Sequence, residues 1–135
     1  MAVKAIAKGV RISPRKVNVV AALVRGRTVE DALTILDHTP RRSALAVKKV
    51  IASAKANAEH NHNYKPDTLT ISEISVTSGP RIKRFRPAAR GSANAFQRKS
   101  SHIRVIVDGV QREAKKPKKA TADKTEIKEK EEETK

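Results

Sequence analysis

Val3, Ala5 and Ala7 alternate with Lys4, Ile6 and Lys8, which predicts a short strand with one inward face, ending about Ile12. Ser13-Pro14 then reads as a helix start, because a Ser hydroxyl can cap free backbone N–H groups and Pro at the first helical position forfeits none. Val17, Val20, Ala21 and Val24 follow at helical spacing, and Gly26 supplies the left-handed residue that ends such a helix. A second helix is expected from Thr28, with Glu30 and Asp31 at its positive end and Val29, Ala32, Leu33 and Leu36 as its stripe, closed by Thr39-Pro40. The third stripe, Ala44, Val47, Ile51, Ala54 and Ala58, lies opposite Arg42, Lys49 and Lys55 and marks the longest helix.

From Thr68 the period changes to two. Leu69 and Ile71 share a face, the phase slips, and Ile74 and Val76 continue it, so a bulge is expected near Ser72-Glu73. Ile103, Val105 and Val107 alternate in the same way before Asp108-Gly109 and form the natural partner strand. The predicted class is α+β: three helices packed on a small antiparallel sheet, with the segment between the two strands protruding as a long β-hairpin, about 78–102. One domain over 1–112 is expected, because 135 residues suffice for one modest core.

Charge changes the picture from a fold to a partner. The chain carries 30 Lys and Arg against 14 acidic residues, a net +16 whose self-repulsion calls for a polyanion. Residues 1–112 hold +15 of it; the tail from 113, with one Ile, no aromatics and blocks of like charge, is expected to be disordered and receives no role. Between Arg81 and Arg104 stand Arg81, Lys83, Arg84, Arg86, Arg90, Arg98, Lys99 and Arg104 without one acid. Guanidinium forks suit phosphate oxygens, and only Phe85 and Phe96 interrupt the run, so backbone contact is favoured over base stacking. Ala88, Ala89, Gly91, Ser92, Ala93 and Ala95 cluster at the centre, where a ribbon must turn in little space. An arm of about ten residues per strand would reach on the order of 30 Å, and an isolated ribbon of this kind takes its conformation from its surroundings.

Other classes fit poorly. No apolar run reaches transmembrane length, and MAVKAIAKGV has too few large apolar residues for a signal-peptide core, so no membrane partner is expected and the protein should stay in the compartment where it is made, the cytoplasm or an organellar matrix. The absence of Cys removes disulfides, thiolate zinc sites and thiol nucleophiles. His60 and His62, two apart on a helix, point to different sides and suit its negative end, as His38 suits the end of the second helix. His102, at the hairpin base, either contacts RNA or packs beside the strand. No phosphate loop, carboxylate pair or nucleophile-base set is visible, so no catalytic residue, cofactor or metal is expected. A nucleoid architectural protein also combines a small helical body with basic arms, and Pro87 could serve as its wedge. It would need a broad apolar dimer seam, however, which narrow Ala- and Val-rich stripes do not supply; no homo-oligomer is expected.

Gly91-Ser92, a spacer of nine residues, and His102-Ile103-Arg104-Val105-Ile106-Val107 resemble the signature of the bacterial large-subunit ribosomal protein number twenty-two family. The resemblance extends through Ser13-Pro14-Arg15-Lys16, Arg25-Gly26-Arg27, Ala56-Asn57-Ala58-Glu59-His60-Asn61 and Ser78-Gly79-Pro80 before Lys83-Arg84, covering roughly residues 10–108 in order. It implies a structural constituent of the large ribosomal subunit that binds 23S rRNA of several domains, supports early assembly and adjoins neighbouring ribosomal proteins. It also implies a hairpin whose tip (Arg86, Pro87, Ala88, Ala89, Arg90, Gly91, Ser92, Ala93) lines the peptide exit tunnel and meets the nascent polypeptide. Ala88 stands where the family commonly has a basic residue, which removes a charge near the tip. The rRNA contacts expected are the eight hairpin cations with His102, and a second patch at the ends of the first helix: Ser13, Arg15, Lys16, Arg25 and Arg27.

Overall fold

The computed structural model describes residues 2–112; the expectation of a disordered tail from 113 lies outside the described residues. The element order is β1 (Val3–Val10), α1 (Pro14–Val24), α2 (Val29–Asp37), α3 (Arg42–His62), β2 (Thr70–Ser78), β3 (Ile82–Pro87), β4 (Ala93–Arg98) and β5 (Ser101–Asp108). β1, β5 and β2 form an antiparallel sheet in that order, with β5 central, and β3 pairs with β4 as a separate two-stranded ribbon. This is the α+β architecture expected from the sequence, with α1 and α3 packed on the three-stranded sheet and α2 packed on α3.

Each stripe buries as its period demands. Val17, Val20, Ala21 and Val24 of α1, Val29, Ala32 and Leu36 of α2, and Ala44, Val47, Ile51, Ala54 and Ala58 of α3 meet Val3, Ala5, Ile71, Ile74, Ile103, Val105 and Val107 of the sheet. Leu33 is half-buried at the rim. The core is built of short aliphatic side chains, each contributing about 1.5–3 kcal/mol on full burial for Val, Leu or Ile. Tyr64, just past α3, is its one buried aromatic among the described residues; it meets the edge of His62 and bridges to Gln111.

Local chemistry explains the boundaries. Thr28 Oγ1 accepts from the Asp31 N–H at 3.3 Å and caps α2. Ser13 occupies the corresponding place before α1, but its hydroxyl makes no capping bond, a correction to the sequence reading. The Lys16 N–H it would take already donates to the Ser13 carbonyl at 3.0 Å. Gly26, at φ 71°, turns the chain out of α1 so that residues 26–29 run along the free edge of β2. There Gly26 and Val29 donate to the carbonyls of Ile71 and Leu69, and Ile71 donates to that of Arg27. The phase slip read near Ser72-Glu73 is a register shift between Ile71 and Glu73.

Candidate nucleic-acid interface

β2 and β5 continue, after an interruption, as β3 and β4. Ser78 pairs with Ser101, and the Gly79 N–H donates to the Ser100 carbonyl at 2.9 Å. Pro80 has no N–H with which to extend the ladder, and the Ser100 hydroxyl donates to its carbonyl at 2.7 Å. A Cβ on Gly79 would lie 2.7 Å from the Ser100 Oγ and 3.3 Å from Nε2 of His102, so a side chain here would displace the Ser100 hydroxyl from the Pro80 carbonyl. Pairing resumes at Ile82↔Arg98 and ends at Pro87↔Ala93. The regular ladder is therefore six pairs long, about 20 Å, shorter than the ten per strand expected because the Pro80 junction divides it.

At the tip a single turn spans Ala89–Gly91, with Arg90 (φ 57°) and Gly91 (φ 72°) both in the left-handed region. The Ala88 N–H donates to the Ser92 carbonyl at 2.8 Å and the Ser92 hydroxyl to the Ala89 carbonyl at 2.9 Å. Residues of the ribbon are exposed throughout, Ala88 alone being half-buried.

Residues directly opposite in an antiparallel ribbon share a face. One face thus carries Ile82, Arg84 and Arg86 with Asn94, Phe96 and Arg98; the other carries Lys83, Phe85 and Pro87 with Ala93, Ala95 and Gln97. Arg86 lies over the Phe96 ring, its Cζ 5.8 Å from the centroid. Arg84 donates from Nη1 to the carbonyl of Lys83 at 2.8 Å. The ion pairs among the described residues, Lys48 with Asp37 and Lys55 with Glu30 and Glu59, all lie on α2 and α3. The hairpin cations therefore have no carboxylate partner among the described residues.

The structure places Arg104 on the sheet's outer face, opposite Ile6 and Ser75. His102 sits at the hairpin root, where its Nδ1 accepts from the Gly9 N–H at 3.0 Å, so it packs beside β1 and Nδ1 is unprotonated in this contact. Arg104 and His102, with Ile6, Lys8, Ser75 and Thr77, line a shallow hollow of about 420 Å³. Lys8 was not picked out by sequence reasoning as a site residue. The signal was available: Lys4 and Lys8 share the outward phase of the first strand, and that face continues across the sheet onto Arg104.

The second patch divides. Arg15 and Lys16 are exposed at the positive end of α1, where no acidic residue offsets them, an arrangement that costs the helix stability and suits an external anion. At the other end, Arg25 donates from Nε and Nη2 to the Ile74 carbonyl at 3.2 and 3.0 Å, and from Nη2 to Asn18 Oδ1 at 3.1 Å. Arg27 Nε donates to the Leu23 carbonyl at 3.0 Å. These two guanidiniums tie the end of α1 to itself and to β2, leaving only part of their donors outward.

The comparisons with known proteins bear on most of the chain. The sequence model of the family described as "Ribosomal protein L22p/L17e" matches residues 5–108. The chain is similar to the large ribosomal subunit protein uL22 of Desulforamulus reducens, 50% identical over 107 residues that cover 79% of this chain and 95% of that protein. It is similar to the uL22 protein of Oceanobacillus iheyensis to the same extent and over the same shares.

Proposed function

This chain belongs to the ribosomal protein L22p/L17e family, structural constituents of the large ribosomal subunit, and on that footing we propose that it braces 23S rRNA with its basic hairpin. The observation that carries the proposal is the charge arrangement: eight cations from Arg81 to Arg104, on the exposed ribbon and at its root, with no acid among them. RNA segments that converge repel through their phosphates. A ribbon with cations on both faces lowers that repulsion and holds the segments in register. Arg84, Arg86 and Arg98 would serve one segment, Lys83 and Lys99 another, with Arg90 at the tip and Arg104 at the root.

Arg15 and Lys16, beside Ser13, would anchor the body to RNA, with the remaining donors of Arg25 and Arg27 at the far end of the same helix. The tip, Arg86 to Ala93, would line the peptide exit tunnel and meet the nascent chain, and neighbouring ribosomal proteins would adjoin the body of a protein working in the cytoplasm. A DNA-bending role has less support, since the apolar stripes of the three helices are buried in the core.

The test is salt-dependent RNA binding. With Arg81, Lys83, Arg84 and Arg86 replaced by Ala, binding of large-subunit rRNA should weaken, and the slope of log K against log salt should flatten by up to about 3. An unchanged slope would remove these four side chains from the phosphate contacts. Cosedimentation of the wild-type chain with large subunits through a high-salt wash checks the assignment to the subunit.

A further inference from the structure

Phe85 is 73% exposed, the most exposed large hydrophobic side chain among the described residues. The other ribbon aromatic, Phe96, is 44% exposed and has the Arg86 guanidinium over it. Phe85 has no such cover: its cross-strand partner is Ala95, and its neighbours along the same face are Lys83, Pro87, Ala93 and Gln97. A hollow of about 590 Å³ lies against it, lined also by Arg84, Phe96 and Lys99. That volume falls in the range of small-molecule sites, about 300–1,000 Å³.

We propose that this hollow is a nucleobase site, in which one unpaired base of the bound RNA stacks on the Phe85 ring. The proposal deepens the RNA-bracing reading and rests on it. The occupant follows from the lining. Ala95 is a small cross-strand partner for the ring; Lys83 and Lys99 border the hollow and can meet the phosphates flanking a stacked base; and the Gln97 amide can both donate to and accept from a base edge. An apolar peptide side chain would bring no anion for those two lysines, and no acid lies within the ribbon to neutralise them. The hollow thus draws on both faces of the ribbon, with Lys83, Phe85, Ala95 and Gln97 from one and Arg84 and Phe96 from the other.

The experiment uses the full-length chain with two probes: a uridine-rich single-stranded RNA oligomer, and an abasic ribose-phosphate oligomer of the same length. Phe85→Leu should weaken binding of the base-bearing oligomer by about 5- to 150-fold, the range of one base–aromatic stack. It should leave the abasic oligomer and the salt slope unchanged, since no charge is altered. Phe85→Trp should restore binding. Ultraviolet cross-linking of the wild type to oligouridylate, read by mass spectrometry, should place the adduct on Phe85. Equal binding of both probes by Phe85→Leu and wild type, or an adduct elsewhere, overturns the stacking site and leaves the bracing intact. A wild-type chain that binds neither probe in a salt-dependent manner overturns both. Because Phe85 is exposed and packs in no core, Phe85→Leu will fold.

Discussion

Arg25 and Arg86 carry the same guanidinium and put it to opposite uses. Arg25 closes three hydrogen bonds onto Ile74 and Asn18, joining the end of α1 to β2, whereas Arg86 reaches over an exposed ring on a ribbon that touches no core. Charged hydrogen bonds are worth more than neutral ones, though solvent access at Arg25 reduces the gain. Arg25→Ala should therefore lower stability by about 1–2 kcal/mol and Arg86→Ala by less than about 0.5 kcal/mol, read from urea midpoints. Sequence grouped these residues by charge alone. A backbone carbonyl leaves no mark in a sequence, so which arginine finds one emerges only from the fold, and the bond from the Gly9 amide to His102 was hidden for the same reason.

Elements were more legible than contacts because their signals are periodic. The helical stripes and the phase slip before Ile74 appear in the chain as spacings of apolar residues, and the structure buries those positions and bulges at that step. What escaped is pairing made by backbone alone: residues 26–29 along β2, the short turn at Pro66–Thr68, and the division of the arm at Pro80. The two helix starts also look alike in sequence, and only Thr28 uses its hydroxyl as a cap. Thr28→Ala should cost about 1 kcal/mol, while Ser13→Ala should cost no more than a few tenths; paired thermal melts distinguish them.

At the scale of the molecule, adhesion and recognition are separated in space. Among the described residues, all of the buried apolar ones belong to the body, and the ribbon from Ile82 to Arg98 supplies none. Replacing Ile82 through Arg98 by a short Gly-Ser turn should leave the unfolding midpoint of the body within about 0.5 kcal/mol of wild type, while removing most of the salt dependence of RNA binding. A large loss of stability in that variant would show that the arm holds the body together. The family-level function was legible because the basic run and the turn residues are contiguous in sequence. The base-stacking face was not, since it depends on which residues the ribbon register sets side by side.

The position of β5 has a consequence in time. It is the middle strand of its sheet, yet the last of the five strands among the described residues to be made, and its register joins Val107 to Val3 across nearly all of the described residues. During synthesis at about 5–20 residues per second, Val3 waits roughly 5–20 s for that partner. Throughout that interval β1 and β2 have no strand between them. Contacts so distant along the chain are also slow to close once both ends exist. The arm is therefore made in full before the strand that completes its own support.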